Sequence, residues 1–204
     1  MAFVQATLQS DLLSVFQSMT DGDDSVFSDG VAQALKNFVN SGTPSTTDAG
    51  TIPTGAFTGA STGGSITADD SACAQTIASA FPYMTENDSG GDDYLADKIA
   101  EGLQKMTDDA VVITSVSGTT VPPSPPPPTI PTAGTAKGGI TCITTAVASG
   151  LKTAFSSMKS MSSGGDSYLA SQMASLVNTC LLTGTVSTQG QGNLAGSTGT
   201  GNAT

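Results

Sequence analysis

SGGDDYLA, residues 89–96, returns as SGGDSYLA, residues 163–170, with one substitution and an offset of 74 residues. An octapeptide written twice is either a site used twice or a joint built twice. The flanks favour a joint. The pairs Gly90-Gly91 and Gly164-Gly165 supply the positive φ angles that end one helix and turn the chain. Asp92 and Asp166 then stand where an N-cap is expected, facing the positive end of the next helix. A shorter version, TDGDDSVF at 20–27, offers Gly22 and Asp24 for the same purposes.

The segments around the joint carry helical stripes. Ahead of it, Ile77, Phe81 and Met84 recur as Leu151, Phe155 and Met158, and upstream as Leu12, Phe16 and Met19. The spacing i, i+4, i+7 is one face of a helix. Behind it, Leu95, Ile99, Leu103 and Met106 match Leu169, Met173, Val177 and Cys180, and the first copy supplies Phe27, Val31, Leu35 and Phe38. Ala32, Ala100 and Ala174 accompany this second stripe and let a partner helix approach.

GSIT at 64–67 matches GGIT at 138–141, again 74 residues apart, so the chain divides into units 1–65, 66–139 and 140–204. Each reads helix, turn, helix, then a tail rich in Thr, Gly and Pro. TIPT occurs in two tails, at 51–54 and 129–132. DAVVITSVSGTTV (109–121) alternates β-branched residues as a strand does. VPPSPPPPTIP follows, a run suited to a polyproline II spacer of roughly 30 Å. The expected fold class is mainly α: three tandem antiparallel helical hairpins, six helices in all, with extended tails that add short β-strands. A lone hairpin is too slim to cover its own apolar stripe, so stacking on other units, other copies or a larger partner is expected.

Composition narrows the function. The 204 residues include 24 glycines, 10 prolines, no histidine and no tryptophan, and the net charge is −11. Six lysines and no arginine argue against nucleic-acid binding through phosphates. The acid is uneven: residues 140–204 carry only Asp166. The N-terminal stretch MAFVQATLQSDLL has neither a basic leader nor a long apolar run, so neither secretion nor a membrane partner is expected. The acidic turns lack the spaced ligands and terminal Glu of a calcium loop, and the glycine turns lack the lysine of a phosphate loop. No histidine or nucleophile elbow offers acid–base or nucleophilic chemistry. The expectation is no enzyme, no catalytic residue, no cofactor and no metal. Cys73, Cys142 and Cys180 show no CxxC spacing; Cys73 and Cys180 read as small core residues, and no disulfide framework is indicated.

Hairpins closed by SGGDxYLA, with tails such as TIPTGAFTGAST, resemble small virion structural proteins of tailed bacteriophages. The resemblance implies a particle component whose partners are other virion proteins and copies of itself, located in the virion after assembly in the host cytoplasm. It brings no catalytic residue. Capsid decoration is the expectation, with the acidic first two units outward and the near-neutral third unit docked. A neck, tail or baseplate position is the alternative, and a surface adhesin-like or calcium-binding repeat protein a more distant one.

Overall fold

The stripes fold as helices. The structure, a computed structural model, describes residues 3–19, 24–87, 89–122 and 130–204. Helices α1 (Gln5–Ser18) and α2 (Asp24–Ser41) form the first pair. The second pair is α3 (Ser71–Ala78) with α4 (Ala80–Glu86), and α5 (Gly91–Asp108). The third is α6 (Thr145–Met158) and α7 (Gly165–Thr183). α3 and α4 are one rod broken at Ser79. Pro82 accounts for the break: it has no N–H for the Ala78 carbonyl, and its ring crowds that same oxygen.

The tails overturn the expected fold class. They are six long strands: β1 (Pro44–Ile52), β2 (Gly55–Thr67), β3 (Val111–Val121), β4 (Ile130–Thr141), β5 (Thr185–Gly190) and β6 (Ser197–Ala203). Neighbours in sequence pair antiparallel, and β6 returns to β1, so the sheet closes into a barrel. Three helical pairs sit on one closed antiparallel barrel, in place of three separate hairpins with loose arms. Closure gives every strand two partners and removes the exposed edges that extended tails would present.

The barrel also replaces the spacer. The prolines of 123–129 lie outside the described residues, but their flanks do not. Thr120 and Ile130 are cross-strand partners, so the chain on either side meets instead of being held apart. The two TIPT copies are not equivalent either: Ile52 ends β1, whereas Ile130 begins β4.

Each unit contributes a helical pair and a β-hairpin, and the second strand of one hairpin pairs with the first strand of the next. The helices likewise touch in a ring: α1, α2, α3, α5, α6, α7 and back to α1. The apolar stripes are therefore covered by neighbouring units of the same chain, which meets the need for shelter that the sequence assigned to other chains as well. Leu8, Leu12, Ile77, Leu103 and Leu151 are fully buried, each worth about 1.5–3 kcal/mol.

The helical core continues into the mouth of the barrel through Ile66, Val112, Ile140 and Val186. A second apolar cluster, Ile52, Phe57, Val116, Ala136 and Leu194, closes the far end, with Leu194 supplied by a single 3-10 turn (Gly192–Leu194). Between them lie the buried polar side chains Thr46, Asp48, Ser61, Thr114 and Thr188. The lumen is narrow. A Cβ at Gly64, Gly138 or Gly201 would run into the carbonyl oxygen of Ile113, Ser187 or Ser45 on the adjacent strand.

Cys142 and Cys180 form a disulfide with Cα atoms 5.5 Å apart. This corrects the reading of Cys180 as a plain core residue and of the cysteines as unbridged. The two are 38 residues apart, and the antiparallel packing of α6 on α7 brings the segment ahead of α6 beside the end of α7.

Candidate docking surfaces

In each unit the first helix leads away from the barrel and the second returns to it, so the joints lie at the end remote from the barrel. Gly90 (φ +80°) and Gly164 (φ +77°) are left-handed as expected, but Gly91 and Gly165 are not. The latter two open α5 and α7 beneath methionines: a Cβ on Gly91 would lie 3.0 Å from Met84 Cγ, and one on Gly165 would lie 3.3 Å from Met158 Cε. The cap positions themselves are Gly90 and Gly164. Asp92 and Asp166 lie one residue inside the helix, with Asp24 opening α2, so all three face the helix dipole from the first turn and none is an N-cap. Gly22 lies outside the described residues.

The predicted packing residues largely converge. Leu12, Phe16, Ile77, Leu151, Leu95, Ile99, Leu169 and Met173 are buried, and Phe81, Met84, Phe155 and Met158 pack half-buried against the core. Met19 departs from this: it is 42 % exposed, because α1 ends at Ser18 and Met19 takes extended backbone. Phe27 stacks on Phe16 and meets Phe81 edge-on, joining the first two units.

Ion pairs join the second unit to the first and to the third. Lys36 reaches Asp70 at 3.2 Å, Lys152 reaches Asp97 at 2.7 Å and Lys159 reaches Asp92 at 2.8 Å. On α5, hydrogen bonds from Lys98 and Lys105 hold the Glu101 carboxyl below the usual carboxylate range, and Glu101 in turn raises Lys98. Lys98 also lies 5.4 Å from the centre of the Tyr94 ring.

A groove of about 540 Å³ runs between α2 and the broken α3–α4 rod, with Ala74, Ala78 and Phe81 along it and Asp24 and Asp29 among its polar residues. It holds no paired acid and base. Among the described residues no three Asp, Glu or Cys side chains converge as metal ligands, and no helix is long and apolar enough to cross a membrane.

The barrel exterior is chemically different. Its outward positions are mostly small and neutral, among them Ser45, Thr47, Thr58, Ser117, Thr135 and Ser187, with Ile113, Val121 and Ile130 as exposed apolar side chains on β3 and β4. Of the two charged residues on the six strands, Asp48 points inward, and Lys137 alone faces out. Charge therefore divides along the barrel axis as well as between units: the acids gather on α1–α5 and their connections, the α6–α7 pair carries Asp166 against Lys152 and Lys159, and the barrel exterior carries Lys137 alone. The third unit adds a local apolar step at the waist. Ile143 is 78 % exposed and Leu182 is exposed beside the disulfide, at positions where the second unit has Asp69 and Asp108.

Comparison with protein-family models, with curated proteins and with solved structures gives no match.

Proposed function

We propose that this chain is a non-enzymatic structural component of a tailed-phage virion, bound to a shell-forming protein through the outer face of its barrel. The observation that carries the reading is the barrel exterior: six strands with a single outward charge and a surface mostly of Ser, Thr, Ala and Gly, with Ile113, Val121 and Ile130 exposed among them. Such side chains lose little rotamer freedom on docking, and their removal from water exposes no unpaired charge. The acidic helical end, by contrast, suits solvent and like-charge repulsion between neighbouring copies. Capsid decoration follows, with the barrel seated and the helices outward. The extended tails are the barrel strands, each paired on both sides, and are not free to add to a neighbouring chain.

The test is incorporation into particles. Thr47→Glu and Ser117→Glu place charge on the barrel exterior and leave the lumen untouched. Both are expected to fold with an unchanged circular dichroism spectrum and to vanish from purified virions by mass spectrometry. Asp93→Asn and Asp166→Asn at the helical end are expected to incorporate normally. Barrel variants that incorporate while helical-end variants do not would reverse the orientation, and a wild-type chain missing from particles would end the virion reading.

A further inference from the structure

Asp48 lies inside the barrel at 1 % exposure, and among the described residues no lysine reaches it. An isolated buried carboxylate is costly unless something offsets its charge. What it has is thin: Thr46 Oγ1 donates to Oδ2 at 2.7 Å, and Thr188 Oγ1 donates to Oδ1 across 3.4 Å. A second deficit lies in the same lumen. Thr114 Oγ1 is fully buried and has no hydrogen-bond partner.

The two deficits share a geometry. Thr46, Thr114 and Thr188 occupy one position in the three units, because each faces a glycine on the last strand of the preceding hairpin: Thr46 opposite Gly201, Thr114 opposite Gly64 and Thr188 opposite Gly138. The barrel thus carries a triangle of hydroxyls across its axis, one per unit. Asp48 stands two residues along β1 from one corner and bonds two of the three. The corresponding residue in the second unit is Val116, so the charge is particular to the first.

We propose that the lumen binds a sodium ion between the Asp48 carboxylate and the hydroxyl oxygens of Thr114 and Thr188, with Thr46, itself hydrogen-bonded to Ser61, fixing the carboxylate from behind. A monovalent ion matches a lumen with one acid, whereas a calcium site gathers six to eight oxygens and usually several carboxylates. The ion offsets the buried charge and gives Thr114 Oγ1 a partner in one step. A water molecule would do only the second.

Thermal unfolding of the full chain tests this in sodium chloride against N-methylglucamine chloride at constant ionic strength. A ligand held only by the folded state raises Tm with concentration, here by about 3–5 °C for each tenfold increase above the dissociation constant. Thr114→Val is the decisive variant. With an ion present, it is expected to lose stability in sodium only and to lose much of the sodium response. Without one, it removes an unpaired buried hydroxyl and melts at or above wild type in both salts. Asp48→Asn is expected to abolish the response. A wild-type Tm indifferent to sodium, a Thr114→Val protein with the full response, or a response to calcium in place of sodium would each overturn the proposal.

Discussion

Thr43 and Thr204 exchange a pair of backbone hydrogen bonds: the Thr43 amide donates to the Thr204 carbonyl at 2.8 Å, and the Thr204 amide donates back at 3.1 Å. The last residue of the chain is thereby tied to the start of the first strand. From there the seam runs through Pro44↔Ala203 to Gly50↔Ser197 and closes the barrel. Without β6 the sheet has two bare edges, on β1 and on β5, and the lumen opens along its length.

Deleting Ser197–Thr204 is therefore expected to be far more damaging than its small side chains suggest. We expect a loss above about 4–5 kcal/mol, beyond the range of ordinary point substitutions, with a broad thermal transition and self-association by size-exclusion chromatography. A truncated chain that melts sharply as a monomer would show that the seam is dispensable.

The joints make a graded prediction. At Gly90 and Gly164 nothing stands within 4 Å of an added Cβ, so the only penalty of alanine is the left-handed backbone, about 1–2 kcal/mol each. Gly102 differs: its backbone is ordinary, but an added Cβ would sit 2.9 Å from Cys73 Sγ and 3.1 Å from the Cys73 carbonyl oxygen. Gly102→Ala is expected to lose about 1–3 kcal/mol through overpacking between α3 and α5. Asparagine tells the two mechanisms apart in chemical denaturation. It tolerates the left-handed region and partly rescues Gly90, but worsens Gly102.

These glycines also show which parts of the fold the sequence could express. Helix stripes are written in large residues at fixed spacing, so Leu12, Ile77 and Leu151 announce themselves, as does a joint that needs Gly90 and Gly164 for backbone reasons. A six-stranded lumen is too narrow for that code. At its middle the inward positions are Thr46, Thr114 and Thr188, with glycines opposite them, and many outward positions are also Ser and Thr. Inside and outside then look alike there, and even Val112-Ile113-Thr114-Ser115-Val116 breaks the apolar–polar alternation, with a polar Thr114 inward and an apolar Ile113 outward. The disulfide needs only the antiparallel packing of α6 on α7, which sets Cys142 ahead of α6 beside Cys180 near the end of α7; three cysteines without a spacing signature do not announce it. The neutral barrel exterior was hidden too, because the division of charge appears only when all strands gather at one end.

The disulfide joins residues 38 apart, and a loop of that size corresponds to about 4 kcal/mol of restricted unfolded-state entropy. Dithiothreitol is expected to lower Tm by roughly 8–16 °C, taking about 2–4 °C per kcal/mol for a chain of this length. A double variant, Cys142→Ala with Cys180→Ala, should melt near the reduced protein and ignore dithiothreitol. A reduced wild type with an unchanged Tm would mean that the bridge adds nothing to stability.

Cys73, the remaining thiol, predicts how stability changes with pH. It is buried between α3 and α5, and burial, aided by the negative charge of Asp70, pushes its pKa from 9.0 up to about 12. Below pH 9 the thiol is protonated in both folded and unfolded chains, so its full contribution is present. As pH rises from 9 towards 12 the unfolded chain releases its proton first, and that release favours unfolding. Stability should fall by up to about 1.4 kcal/mol per pH unit across this window from Cys73 alone. Tyrosines and lysines titrate there too, so the informative quantity is the difference between wild type and Cys73→Ala in urea melts from pH 8 to 10.5. The variant loses packing at every pH, but its deficit should shrink as pH rises. A deficit that stays constant would mean that Cys73 does not carry the alkaline sensitivity. Iodoacetamide gives an independent check at neutral pH: Cys73 should resist alkylation in the folded chain and react once urea unfolds it.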